Sequence, residues 1–170
     1  DVFAATPTWA SLRLLLQMAL KKGWKVKLAD IATAFFHAVL DESERVYITP
    51  PATENAKGKV WRLLRSLYGL RKSPQRFQEH FAVMMRSIGF RCLLADPQIF
   101  YHEETGALVV AHVDDLMIAA SEEDMPKIIK QIDSVFKVKW GEELGDKWST
   151  FLGKQWRITK EKVYVRIPEK

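Results

Sequence analysis

Two adjacent aspartates, Asp114 and Asp115, interrupt an otherwise apolar stretch, with residues 107–113 (ALVVAHV) before them and residues 116–120 (LMIAA) after. The flanking runs of 7 and 5 residues are rich in Val and Ile, too short for a helix and apolar on both faces. They read as two buried, adjacent strands, which puts the acids at or near a tight turn. Two-residue hairpin turns favour Asn-Gly, Asp-Gly or a glycine pair because their central residues need positive φ. Asp-Asp meets that demand poorly, so the pair is either a solvated turn or a site where carboxylates are wanted.

Asp30 supplies a third acid. The segment from Trp24 opens as an alternating strand with Val26 and Leu28 on one face, reaches Asp30, and runs into a small-residue stretch at Ala32 to Ala34. A carboxylate at a strand's end sits on a rim. Nucleotidyl transfer by two metal ions uses acids from separate strands to bridge two Mg²⁺ roughly 3.5–4 Å apart. Magnesium takes a few carboxylates plus phosphate oxygens, and three aspartates without a Cys/His cluster match that hard-ligand preference.

The 170 residues are about one domain's worth of chain, and 48% hydrophobic content suits a globular core. A lone Cys92 excludes an intramolecular disulfide and reads as a buried filler in an intracellular chain. No apolar run approaches the length needed to cross a membrane. Charge is segregated: residues 57–91 hold nine Lys/Arg and one acid, whereas residues 92–126 hold eight acids and no Lys/Arg. Two solvated faces of opposite sign would give that pattern, and so would a polyanion track beside a cation site.

Along the chain, Thr8 caps a helix predicted to run to Lys22, with Gly23 as its stop. Val46 to Ile48 and Val60 to Leu64 read as strands separated by a polar loop over 52–58. Ser73 is the expected N-cap, and Pro74 the first turn, of a helix whose stripe of Phe77, Phe81, Met84, Met85 and Ile88 is core. Pro97 to Tyr101 is a strand, 122–136 an amphipathic helix, and 150–167 two strands joined by a turn at 159–162. The predicted architecture is α+β, an antiparallel sheet with helices packed on one face.

Four ordered blocks carry a family resemblance: residues 29–37 (ADIATAFFH), 66–77 (SLYGLRKSPQRF), 112–116 (HVDDL) and 151–153 (FLG). They resemble the D-V-K-T-A-F-L-x-G, S-L-Y-G-L-K-Q-A-P-R-x-W, Y-V-D-D-L and F-L-G blocks of copia-type long-terminal-repeat retrotransposon reverse transcriptases. The resemblance implies one right-hand polymerase palm over residues 1–170, with partial fingers elements around 45–65 and primer-grip-like strands at about 150–167. It implies an RNA-directed DNA polymerase transferring dNMP to a primer 3′-hydroxyl with two Mg²⁺, Mn²⁺ being a substitute.

In that reading Asp30, Asp114 and Asp115 are the catalytic carboxylates. Asp30 and Asp114 bridge the metals, Ile31 lends a carbonyl, and Asp115 is more peripheral. Thr33, Ala34 and Phe35 face the dNTP, and the Phe35 ring excludes a 2′-hydroxyl. Gly69, Leu70, Arg71, Lys72, Ser73, Pro74 and Arg76 meet template and phosphates, while His112, Phe151, Leu152 and Gly153 meet the primer. The implied partners are an RNA or DNA template-primer, dNTPs and the rest of a polyprotein with fingers, thumb, RNase H and integrase, in a cytoplasmic particle or the nucleus.

The chain departs from the pattern in having His112 for the usual Tyr and Ala38 for a usual Gly. It also begins at the helix before Asp30 and ends without a thumb, so weak or absent activity in isolation is expected. Two competing readings remain: a degenerate retroelement remnant that only binds nucleic acid or serves structurally, and a palm-like nucleotidyl cyclase. The Gly69 to Pro74 block speaks against the cyclase, which has no template to touch.

Overall fold

The computed structural model describes residues 7–43, 45–54 and 57–168. Its centre is a six-stranded antiparallel sheet in the order β4(Phe90–Cys92), β5(Ile99–His102), β6(Leu108–His112), β7(Asp115–Ala120), β1(Lys25–Ile31), β8(Val138–Glu143). A second sheet joins β9(Ser149–Phe151), β10(Lys154–Ile158) and β11(Val163–Arg166), and β2(Tyr47–Ile48) pairs with β3(Trp61–Arg62). Residues 55 and 56 of the 52–58 loop lie outside the described residues.

Side chains alternate across the central sheet into two cores. Ala29, Ile31, Val109, Ala111, Leu116 and Ile118 meet α3(Ser73–Ser87) and α4(Met125–Asp133) through Phe77, Phe81, Met85, Ile128 and Ile132. On the other face, Val26, Leu28, Val110, Met117 and Ala119 meet α1(Trp9–Lys22) through Leu12, Leu15, Leu16 and Ala19, together with Phe151 and Trp156 of the small sheet. Helices thus cover both faces, contrary to the one-faced arrangement expected from sequence. Strands β6 and β7 are apolar on both faces, and a sheet built from them has to be covered twice.

Helix α1 follows its sequence signals: the Thr8 hydroxyl accepts from Ser11 N at 3.1 Å, and Gly23 closes the helix at φ 64°. In α3 the cap differs from expectation. Lys72 holds the N-cap position and Ser73 lies inside the helix, buried, its hydroxyl donating to the Leu67 carbonyl at 2.8 Å. Helix α4 is shorter than the expected 122–136, with Asp124 at its N-cap. The short strands β4, β8 and β9 and the four-residue α2(Ala34–His37) are further elements beyond those expected. Of these β8 matters most, since it pairs with β1 along the edge opposite β7. Gly141 permits the pairing, because a Cβ there would lie 3.1 Å from the Leu28 carbonyl oxygen.

Candidate active site

Strand register brings the three aspartates to neighbouring backbone positions. Asp30 stands opposite Asp115 in the β1–β7 ladder, His112 opposite Asp115 in the β6–β7 ladder, and Ile31 N donates to the Asp114 carbonyl at 2.8 Å. Asp30 shares its face with Val26 and Leu28, and Asp115 shares its face with Met117, so both carboxylates end on the α1 side of the sheet. All three acids are partly exposed. Asp30 and Asp115 line an open cleft of about 340 Å³ with Lys139, Trp148 and Phe151.

Val113 and Asp114 are the two central residues of the β6–β7 turn, and Val113 has φ 54°. Positive φ at the first central residue alone is the pattern of a type II′ turn, for which glycine is the ordinary occupant. A β-branched residue there costs of order 1–3 kcal/mol and persists only where the surroundings impose it. The other non-glycine residues at positive φ, among those described, are Thr33 and Leu152. Thr33 follows Asp30 by three positions. Leu152 and Gly153, at φ 49° and 70°, form the type I′ turn between β9 and β10. Every such strained position therefore belongs to a segment that borders the acids.

Burial, then the charges of Asp114 and Asp30, push the Asp115 carboxyl above its ordinary value of 3.8, with His112 opposing. Among the described residues no three His, Cys, Asp or Glu side chains already converge as a ready metal cage. The donor set nonetheless suits a hard divalent cation: three carboxylates on neighbouring backbone positions, mutually repelling and open to solvent.

The remaining expected residues divide into groups. His112, which stands opposite Asp115, and Leu152 line one cavity of about 290 Å³ together with Trp9 and Leu12, so two of the residues expected at the primer side share one pocket. Phe151 is buried and packs in the core, so its side chain anchors the turn while Leu152 and Gly153 form the turn itself. Leu70, Arg71, Lys72, Ser73 and Arg76 line a cavity of about 320 Å³ with Arg45 and Ser66. Pro74 lies at the start of α3 and borders a different pocket, and Gly69, at φ 91°, turns the exposed loop that precedes it. The buried Ser73 hydroxyl donates to the loop's own backbone at the Leu67 carbonyl.

Thr33 is exposed, but Ala34 is fully buried and its methyl holds α2 to the core. Phe35 is 7% exposed, with its ring edge-on to Tyr68 at 4.5 Å and to Phe77 at 6.1 Å. Ala38 is buried in ordinary extended backbone at φ −81°, a conformation that does not require glycine.

Sequence reasoning missed Tyr68, Lys139 and Arg45. Tyr68 is about half exposed, and desolvation of its covered part, followed by the charges of Asp114 and Asp30, raises its phenol above 10.0, which places it within electrostatic reach of the acids. Its signal was present in the 66–77 block, one residue before Gly69. Lys139 stands opposite Asp30 in the β1–β8 ladder, and the alternation of Val138 and Trp140 about it marks the strand that carries it. Arg45 has no comparable local signal.

Residues 1–167 match the family described as reverse transcriptase (RNA-dependent DNA polymerase). The chain is 27% identical over 131 residues to a retrovirus-related Pol polyprotein from transposon TNT 1-94 of Nicotiana tabacum, covering 74% of this chain and 10% of that protein. It is 23% identical over 150 residues to the Pol polyprotein from transposon RE2 of Arabidopsis thaliana, covering 85% and 10% respectively. It is 32% identical over 131 residues to a putative transposon Ty5-1 protein of Saccharomyces cerevisiae, covering 73% and 40%. The chain thus spans about a tenth of the plant polyproteins it matches.

Proposed function

The chain belongs to the reverse transcriptase (RNA-dependent DNA polymerase) family, in its copia-type retrotransposon branch, and from that premise we propose that it is the palm of an RNA-directed DNA polymerase that extends a primer 3′-hydroxyl with dNMP. The observation that carries this reading is the register that sets Asp30 against Asp115 while tying Ile31 to Asp114 across the same pair of strands. Strand β1, strand β7 and the turn that leads into β7 would thereby present three carboxylates at one sheet end.

Asp30 and Asp114 would hold two Mg²⁺, with the Ile31 carbonyl beside them and Asp115 further out. Bound there, the ions would sharpen the attacking hydroxyl and offset charge on the phosphates. The protein's own groups supply position. Asp115 adds negative potential, and Lys139 across from Asp30 limits the repulsion among the acids. Tyr68 forms an exposed wall over the buried Phe35 ring, and the Tyr68–Phe35 pair is the proposed check against a 2′-hydroxyl. Arg71, Lys72 and Arg76, with Arg45, would give salt-sensitive attraction for phosphates. Leu152, Gly153 and His112 would border the primer end.

The plant relatives it matches are Pol polyproteins about ten times as long, and fingers, thumb and RNase H functions would belong to such a longer chain. The test is primer extension on an RNA template with Mg²⁺, using this domain within its full polyprotein. Extension that disappears in Asp114→Asn is expected. Extension by Asp114→Asn at the native rate would overturn the assignment.

A further inference from the structure

Helix α2 is four residues long, too short to hold itself by its own hydrogen bonds, and Thr33 at its start makes no side-chain cap bond. What fixes it comes from outside. Phe35 sets its ring edge-on to Phe77 of α3, and two residues on His37 lies parallel to His80, about one turn further along α3, with ring centroids 6.4 Å and planes 21° apart. Phe136 meets both imidazoles edge-on, at 5.8 and 6.3 Å. His37 Nε2 is 3.2 Å from the Ala32 carbonyl oxygen, which can only accept, so that nitrogen carries the hydrogen. The segments 38–40 and 64–66 pair as a short ladder with Val39 opposite Arg65. From there the Arg65 guanidinium turns back and donates through Nη1 to the carbonyls of Phe36 at 3.0 Å and His37 at 3.5 Å, which are groups a helix leaves open at its end.

This set of contacts is sensitive to charge. Around the histidines, α3 offers Arg76 a turn before His80 and Glu79 beside it, whose exposed carboxylate accepts from Gln75 Nε2 at 3.0 Å. The 64–66 segment offers Arg65, and the chain after α4 offers Phe136 and then Lys137. Burial, then the charges of His37 and Arg65, hold the His80 imidazole below its ordinary value of 6.5. Its contribution is therefore present above that value and is lost as pH falls. A proton on each ring would set two imidazolium groups face to face beside a guanidinium, with Glu79 turned to Gln75.

We propose that Arg65, His37 and His80 are positioning residues for sugar selection: they latch α2, and with it the Phe35 ring, against α3, and protonation of both histidines releases it. The sugar-selecting role rests on the reading of Phe35 as a check against a 2′-hydroxyl, whereas the latch stands without it. Arg65 holds the end of α2 through backbone carbonyls, and the imidazole pair holds its outer face to the helix that also carries Phe77.

Amide hydrogen exchange followed by NMR on the whole chain tests the latch without any substrate. The amides of Phe36 and Ala38, which donate to the Thr33 and Phe35 carbonyls, report α2, and those of β7 report the central sheet. Between pH 7.5 and 5.5, with the intrinsic pH effect divided out, the α2 amides should lose protection severalfold relative to β7, each proton taken up on opening giving at most about tenfold per pH unit. His80→Gln, which stays neutral, should remove most of that dependence. Arg65→Ala should speed both amides about tenfold at pH 7.5, the size of one lost hydrogen bond from a charged donor, and Arg65→Lys should recover part of it. In primer extension by the full polyprotein, Arg65→Ala should move the ratio of kcat/KM for ribonucleotide over deoxynucleotide toward that of Phe35→Ala, with partial return in Arg65→Lys. Unprotected α2 amides in the native chain at pH 7.5, an unchanged pH dependence in His80→Gln, or exchange unaffected by Arg65→Ala would overturn the latch. Sugar choice that Phe35→Ala alters and Arg65→Ala does not would overturn the positioning role. Sugar choice that Phe35→Ala leaves unchanged marks failure of the check itself, and the positioning role ends with it.

Discussion

Replacing Asp115 by Asn should make the metal-free protein more stable at neutral pH. Carboxylates that face each other on adjacent antiparallel strands have Cβ atoms about 5 Å apart, so the charges of Asp30 and Asp115 are roughly 6 Å apart. Their repulsion is about 0.7 kcal/mol at the dielectric of water and about 2.8 kcal/mol at an effective value of 20. The acids are partly exposed and Lys139 faces Asp30 from the other side, which places the net gain near the lower end, about 1 kcal/mol. For a chain of this length that corresponds to about 3 °C in Tm.

The pH dependence has a definite sign. The folded state holds the Asp115 proton more tightly than the unfolded chain does, so this group's contribution to stability is fully present below the ordinary carboxyl value of 3.8 and is lost as pH rises through the raised folded value. Asp115→Asn removes that loss. Thermal melts at pH 8 in chelator should show the variant above the native chain, the gap closing toward acid pH. Adding millimolar Mg²⁺ should raise the native Tm more than the variant's. A variant that melts at or below the native temperature at pH 8 in chelator would refute the claim that these charges oppose one another in the fold.

Three further outcomes follow from the geometry. Phe35→Ala should let ribonucleotides into the primer-extension product, and unchanged sugar discrimination in a folded variant would remove Phe35 from that role. Gly89→Ala should cost about 2–4 kcal/mol by urea unfolding, from the left-handed backbone at φ 91° and from a Cβ placed 2.8 Å from Nε2 of the buried His102. Gly58→Ala, at φ 75° with nothing nearby, should cost only the backbone share of about 1–2 kcal/mol, and equal losses at both sites would remove the His102 contact from the account. Burial, then the charges of His37 and Arg65, hold the His80 imidazole below 6.5, so stability should fall as pH drops through that value. His80→Phe should flatten part of the slope, and an unchanged slope between pH 7.5 and 5 would contradict the burial of His80.

The legible parts of the chain were those with a strong local signal. Thr8 and Gly23 bracket α1 because capping is a matter of a few adjacent atoms. The β6–β7 hairpin followed from uninterrupted apolar runs, and Asp30 opposite Asp115 from its place at the end of an alternating strand. Those runs also held the clue to a second covering layer, which the one-faced architecture ignored. Strand β8 was overlooked because only Val138 and Trp140 of it touch the core, and its place beside Asp30 comes from long-range pairing that no window of sequence contains. The burial of Ala34 and Ser73 was illegible for a related reason: a motif gives position along the chain, whereas packing decides which atoms stay in reach of a ligand.

The turn at Val113 and Asp114 has a consequence for how this segment can vary. With two residues between paired strands there is no slack to absorb an insertion or deletion. One residue gained or lost on either side would carry Asp115 to the opposite face of the sheet and turn Met117 and Ala119 out of their core in the same stroke. Drift in residues 108–120 is therefore confined to changes of side chain at fixed length, and a family of such chains should be far more uniform in the spacing of this hairpin than in its lettering.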